Sequence, residues 1–169
     1  DALACLLDQK TVRIWDRQGG TNLGSSRTNP FNAKRDTSAL VLENLRALGI
    51  DALVAIGGED TQSVAARLWR DHGFPVVGIP KTIDKDLIGT DYTLGFETAV
   101  QIISDEVDRV RTTAGSHSRT FIVEVMGRHA GHLALQGGIS AGAAVILIPE
   151  VPFEIERVKQ IVAARRARG

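Results

Sequence analysis

Four short apolar runs, separated by stretches with helical spacing, constrain this chain more than any other feature. They are DALVAI (51–56), FPVVGIP (74–80), TFIVEVMG (120–127) and AVILIPE (144–150). Continuous apolar runs rich in Val and Ile suit strands covered on both faces, the condition of a parallel sheet. The stretches between them read as helices. Asp36 or Thr37 can cap one whose apolar positions are Leu40, Leu42, Leu45 and Leu48, with Gly49 ending it. Glu59, Asp60 and Thr61 begin another, running through Arg70. Phe96, Ala99, Val100, Ile103, Val107 and Val110 recur at three- and four-residue steps, predicting a long amphipathic helix that ends near Arg111. HAGHLALQGGISAG (129–142) offers small residues for close helix packing, and Phe153 to Arg168 closes the chain as a helix. Strand and helix alternate, so the expected fold is α/β, with mostly parallel sheets and helices on both faces.

The segments outside this alternation are less regular. Residues 1–18 carry a weak pattern with a short helix around Thr11–Arg17, and QGGTNLGSSRTNPF (18–31) reads as a loop with a brief strand. The 169 residues suffice for one domain or parts of two. The chain begins with Asp1 rather than Met and stops inside a basic helical pattern, so it reads as a piece cut at both ends.

Twenty basic and twenty acidic residues balance, which argues against a nucleic-acid partner or an anionic membrane surface. No apolar run approaches the ~20 residues that span a bilayer, and no secretory leader is seen. The lone Cys5 excludes an intrachain disulfide. These features predict a cytoplasmic protein.

Three stretches carry candidate chemistry. The first, GGEDT (57–61), joins a strand to a helix. Its glycines let backbone N–H groups approach a phosphate, and the helix N-terminus favours negative charge. Glu59 and Asp60 fit such a site if one binds a metal or a cation. The same stretch also reads as a plain tight turn whose acidic residues complement the helix dipole.

The second, PKTIDKD (80–86), sets Lys81, Thr82, Asp84 and Asp86 just beyond a strand. Alternate residues of an extended segment point to opposite sides, so the loop must curl to bring both carboxylates to one pocket. The edge of an open α/β sheet is where such folds place chemistry. The plainer reading is a solvated acidic turn.

The third stretch is SHSRTFIVEVMGRHAG (116–131), with Arg119 before a strand and Arg128 after it. An arginine following glycine at a strand end can clamp a phosphate. Arg119 alone reads as a surface charge. His117, His129 and His132 lack a further ligand for a metal set and predict ordinary polar contacts. No nucleophile elbow and no complete Walker-type phosphate loop is present, which leaves no basis for acyl chemistry.

Taken together, GGEDT, PKTIDKD with GTDYTLGF, and VEVMGRHAG resemble the phosphofructokinases in order and spacing, from residue 18 to the last strand. GGEDT alone is less specific, because NAD kinases carry a similar turn. The resemblance implies parts of two α/β subdomains: residues 1–95 on the phosphoryl-donor side and 96–169 on the sugar-phosphate side. It implies phosphoryl transfer to the 1-hydroxyl of fructose 6-phosphate, with Asp84 as general base, Asp86 in support, and Arg128 meeting the charge on the transferring group. Thr82, Ile83, Met126, Gly127 and Arg128 would contact the sugar phosphate. Arg119 matches an arginine that reaches the substrate of a neighbouring subunit, so a homodimer or homotetramer is expected. Arg27, Gly57, Gly58, Asp60, Thr61 and Lys81 fall on the donor side, and Glu59 would hold Mg²⁺.

Asp60 and Lys81 stand where ATP-using relatives resembling this chain have glycine. A side chain at Asp60 fills room that a nucleotide α-phosphate needs, and Lys81 offers a cation to compact pyrophosphate. The resemblance therefore leans toward pyrophosphate as donor, with ATP the alternative. An incomplete, non-catalytic phosphate-binding piece is a further alternative. Glu59 replaces a more usual aspartate, and Lys85 a more usual asparagine. The family's opening Gly-rich phosphate loop lies outside the chain.

Overall fold

The computed structural model describes residues 4–168. A short helix, α1 (Gln9–Val12), is capped by Asp8, whose carboxylate accepts the Thr11 N–H at 2.7 Å, and a single 3-10 turn follows at Trp15–Arg17. After the Gly- and Ser-rich loop, β1 (Phe31–Asn32) and β2 (Arg35–Asp36) form a small antiparallel pair. Helix α2 (Ser38–Ala47) comes next. Thr37 holds its cap position and Asp36 Oδ1 accepts the Ser38 N–H at 2.8 Å, so both residues read as caps serve its start. Gly49, at φ 69°, ends it.

The sheet that positions the site is β3 (Leu53–Gly57), β4 (Val76–Thr82) and β5 (Leu94–Gly95), hydrogen-bonded in that order with both pairings parallel. Leu53 lies opposite Val76 and Gly57 opposite Pro80. Helix α3 (Glu59–His72) supplies the β3–β4 crossover and packs back on both strands. It runs two residues past Arg70 because Gly73, at φ 66°, provides a left-handed cap. The Gly73 N–H reaches the Trp69 carbonyl at 2.8 Å and the Phe74 N–H that of Leu68 at 3.2 Å. Phe31, Leu42, Leu68 and Phe74 form the core beneath, with Leu53, Val64 and Val76 packed against it. The other sheet face is exposed at Val54, Ile56 and Val77.

Helix α4 (Phe96–Ser116) is longer than its apolar spacing indicates, running five residues past Arg111. It packs on α5 (His132–Ser140), and α6 (Ile155–Arg166) closes the chain. The small residues serve as expected. A Cβ on Gly137 would fall 2.7 Å from Ile103 Cγ2 of α4, and one on Gly138 would fall 2.8 Å from Ile146 Cδ1.

Two expected strands are not formed. Residues 120–127 and 144–150 join no ladder among the described residues. Their composition suits a strand, but a strand needs a neighbour to pair its N–H and C=O groups. Neither run finds one, and Ile122 is 95% exposed.

Candidate active site

β3 and β4 run parallel, so their carboxyl ends lie at one edge of the sheet, and both candidate loops begin there. At the end of β3, buried Gly57 has no room for a side chain, since a Cβ there would fall on the side chain of Thr61. Gly58 then caps α3 in an extended conformation without a side-chain bond. The first-turn N–H groups are therefore not bonded by a capping side chain, and they carry the positive end of a fourteen-residue helix.

At the end of β4 the chain curls as the alternating carboxylates require. Lys85, between Asp84 and Asp86, adopts the left-handed φ of 54°. Thr82 Oγ1 accepts the Asp84 N–H at 3.1 Å, fixing the start of the curl. Asp84 Oδ1 is buried without a hydrogen-bond partner. The Lys85 ammonium lies 4.9 Å over the ring of Phe96, the first residue of α4.

A third wall comes from residues 127–130. Gly127 sits at φ 131°, and a Cβ there would strike the Ala130 carbonyl. Arg128 follows at φ 48°, and the Ala130 N–H closes the turn on the Gly127 carbonyl at 2.8 Å. Glu150 Oε1 accepts the adjacent Gly131 N–H at 2.7 Å, which holds its carboxyl below the usual carboxylate range. This bond ties the 144–150 run to the turn carrying Arg128.

These walls and residues 26–30 enclose one cleft of about 790 Å³. It gathers Arg27, Gly58, Glu59, Asp60, Thr61, Thr82, Asp84, Asp86, Gly127 and Arg128 from four separate segments. Cations, carboxylates and an open helix N-terminus share a half-enclosed space, a combination suited to a polyanion and a reacting hydroxyl.

Other candidate residues lie off this lining. Gly57 is buried beneath the turn. Lys81 is exposed while its strand neighbours Pro80 and Thr82 are half-buried, as alternation along β4 dictates. Ile83 Cγ2 faces Gly95, where a Cβ would come within 3.2 Å. Met126 borders a smaller hollow of about 180 Å³ that also touches Arg128. Arg119 is exposed beyond α4, its N–H bonded to the Ala114 carbonyl at 2.9 Å.

The cleft also takes in His129, Asn29 and Ser26, for which no site role was expected. Their sequence signal is weak, since the loop composition of 18–31 marks a turn and not a ligand. Gln62, whose amide bonds three strand carbonyls beneath the cleft, was missed as well. Its signal was indirect: Gly78, inside a strand pattern, marks a close approach.

No group of three or more His, Cys, Asp or Glu side chains converges among the described residues. Mg²⁺ does not require one, because it commonly takes one or two carboxylates and completes its shell with water and substrate phosphate. Glu59 on the cleft wall fits that donor set as the single carboxylate.

A family model described as phosphofructokinase matches residues 3–169. The chain belongs to the phosphofructokinase family. It is 55% identical over 159 residues to a Streptomyces coelicolor protein named pyrophosphate–fructose 6-phosphate 1-phosphotransferase, covering 94% of this chain and 46% of that one. It is 48% identical to a Chloroflexus aggregans protein named ATP-dependent 6-phosphofructokinase, covering 100% of this chain and 51% of the relative. The chain thus spans about half the length of these relatives. A solved phosphofructokinase from Saccharomyces cerevisiae superposes with a TM-score of 0.79 at 33% identity, over 96% of this chain and 25% of that one. The α/β phosphofructokinase fold is therefore present here in part.

Proposed function

We propose that this chain carries the phosphoryl-transfer centre of an enzyme that converts fructose 6-phosphate and pyrophosphate into fructose 1,6-bisphosphate and phosphate. The observation that carries this reading is the convergence of Asp84, Arg128 and the open N-terminus of α3 on one cleft. Asp84 takes the proton from the sugar 1-hydroxyl as that oxygen bonds to the transferring phosphorus, and the bond from phosphorus to the leaving phosphate breaks. Asp84 lines the cleft, where its carboxylate can receive that hydroxyl. Asp86 supports the base, and Arg128 meets charge on the transferring group. Thr82, Ile83, Met126 and Gly127 serve the sugar phosphate. Arg27, Gly57, Gly58, Asp60, Thr61 and Lys81 serve the donor. Glu59 would hold Mg²⁺, which when bound neutralises charge shared between donor and acceptor.

Residues 1–95 are read as part of the donor-binding subdomain and 96–169 as part of the sugar-phosphate subdomain. The packing of α4 on α5, beside that of α3 on β3 and β4, supports the division. Arg119, exposed and off the cleft, is free to serve a neighbouring copy, which supports a homodimer or homotetramer. No helix among the described residues is long and apolar enough to cross a membrane, and the proposed compartment is the cytoplasm.

Asp60 on the cleft wall, at the mouth of α3, supports pyrophosphate as donor. The ATP reading draws support from Lys81 pointing off the lining and from relatives named for ATP. Steady-state rates with each donor decide between them. Pyrophosphate turnover should exceed ATP turnover, and replacing both Asp60 and Lys81 by glycine should narrow the gap. Faster turnover with ATP overturns the donor assignment. Tight calorimetric binding of magnesium pyrophosphate with no turnover of either donor would point instead to a phosphate-binding piece.

A further inference from the structure

We propose that Gln62 is a positioning residue that ties the donor turn to the base loop, and that Gly78 leaves the space it occupies. Gln62 is the residue after Thr61, one turn into α3. Its Nε2 donates to the carbonyls of Ala55 and Gly57, each at 3.1 Å, and to that of Ile79 at 2.9 Å. Two N–H groups are thus shared among three acceptors on two neighbouring strands. Gly57 opens the donor turn, and Ile79 stands three residues before Thr82, where the base loop starts.

The tie adds to the backbone ladder, in which Gly57 pairs with Pro80. The Leu53 N–H on the Pro75 carbonyl at 3.0 Å sets the phase of that ladder, so the N–H that Pro80 lacks is not one that β3 uses. The side-chain amide reinforces the pairing from the helix above. Gly78 is the necessary counterpart, since a Cβ at that position would overlap Gln62 Oε1. Its backbone φ lies outside the left-handed region, so nothing but the amide above it calls for glycine.

The distance between the two loops sets how far the donor's phosphoryl group stands from the hydroxyl that Asp84 activates. A misplacement of about 1 Å can cost on the order of a hundredfold in rate. The tie therefore acts on the chemical step more than on binding.

This inference rests on reading the two loops as donor and base sides of one reaction, so two measurements are paired. Gln62→Glu keeps the shape and removes the donors, while Gln62→Leu removes all polarity. Each should lower kcat about tenfold with KM for pyrophosphate within about twofold. Gly78→Ala should reproduce the loss, and the Gly78→Ala/Gln62→Leu double variant should be no worse than either single change. Amide exchange, which needs no turnover, should quicken at residues 58–61 and 82–84 in the same variants.

A fall in melting temperature with kcat and loop exchange both unchanged would make Gln62 merely structural and overturn the proposal. Additive losses in the double variant would overturn the role given to Gly78. Absence of turnover in the unsubstituted protein sinks the reading of the reaction but not the tie between the loops. Exchange then still decides whether Gln62 holds the loops together.

Discussion

Residues 31–82 and residues 120–150 contain equally apolar runs, yet only the first region builds a sheet. DALVAI and FPVVGIP become β3 and β4 because each gives the other a partner for its backbone groups, and α3 covers the pair. TFIVEVMG and AVILIPE are similarly rich in Val and Ile but join no ladder among the described residues. The second of these runs is tied to its surroundings by isolated contacts, such as Glu150 on the Gly131 N–H and Ile146 against Gly138. An apolar run is a propensity, and hydrogen-bond partners convert it into a strand. The cleft straddles the difference, with two walls on the sheet and a third on the turn at Gly127.

The contrast predicts where stability resides. Leu68→Ala removes a side chain from the core beneath β3 and β4 and should cost about 3 kcal/mol by chemical denaturation. A loss under about 1 kcal/mol would mean that this core does not hold the sheet. In the second region the vulnerable point is conformational. Gly127→Ala forces a Cβ against the backbone carbonyl of Ala130 at φ 131°, where no flexible side chain can give way. It should cost about 2 kcal/mol and displace Arg128, lowering turnover more than stability. An unaffected turnover would separate that turn from the site.

The smallest effect concerns Glu150. Its folded carboxyl is lowered by the Gly131 N–H from an ordinary value of 4.5, so in that window the unfolded chain binds more protons. Its contribution is fully present above pH 4.5 and fades as pH falls through the lowered folded value. Glu150→Gln should flatten the melting temperature against pH in that acidic window, with its small loss of stability present near neutrality and vanishing at the acid end. An unchanged acid slope would show that the bond does not anchor the 144–150 run.

Much of the first region was legible because its signals are local. Gly49 ends α2, Gly58 opens α3, and the alternating carboxylates of Asp84 and Asp86 required the curl that Lys85 supplies. The extension of α3 to His72 was less plain, since it depends on Gly73 adopting a left-handed cap. Gln62 was not legible as a tie, because its acceptors lie five to seventeen residues away and on two strands. The second region was over-read for the opposite reason. Its pattern was clear, but whether a partner runs alongside is a property of tertiary arrangement and not of the run itself. The placement of Lys81 off the lining also follows from register, which composition does not fix.

The central claim is that Asp84 removes the sugar's hydroxyl proton at the edge of this sheet. Its most direct test is the rate of fructose 1,6-bisphosphate formation from saturating pyrophosphate and fructose 6-phosphate in Asp84→Asn, which keeps the shape and removes the base. The expected result is a fall in kcat of about a thousandfold with substrate KM values little changed. A variant that forms product as fast as the unsubstituted protein would contradict it.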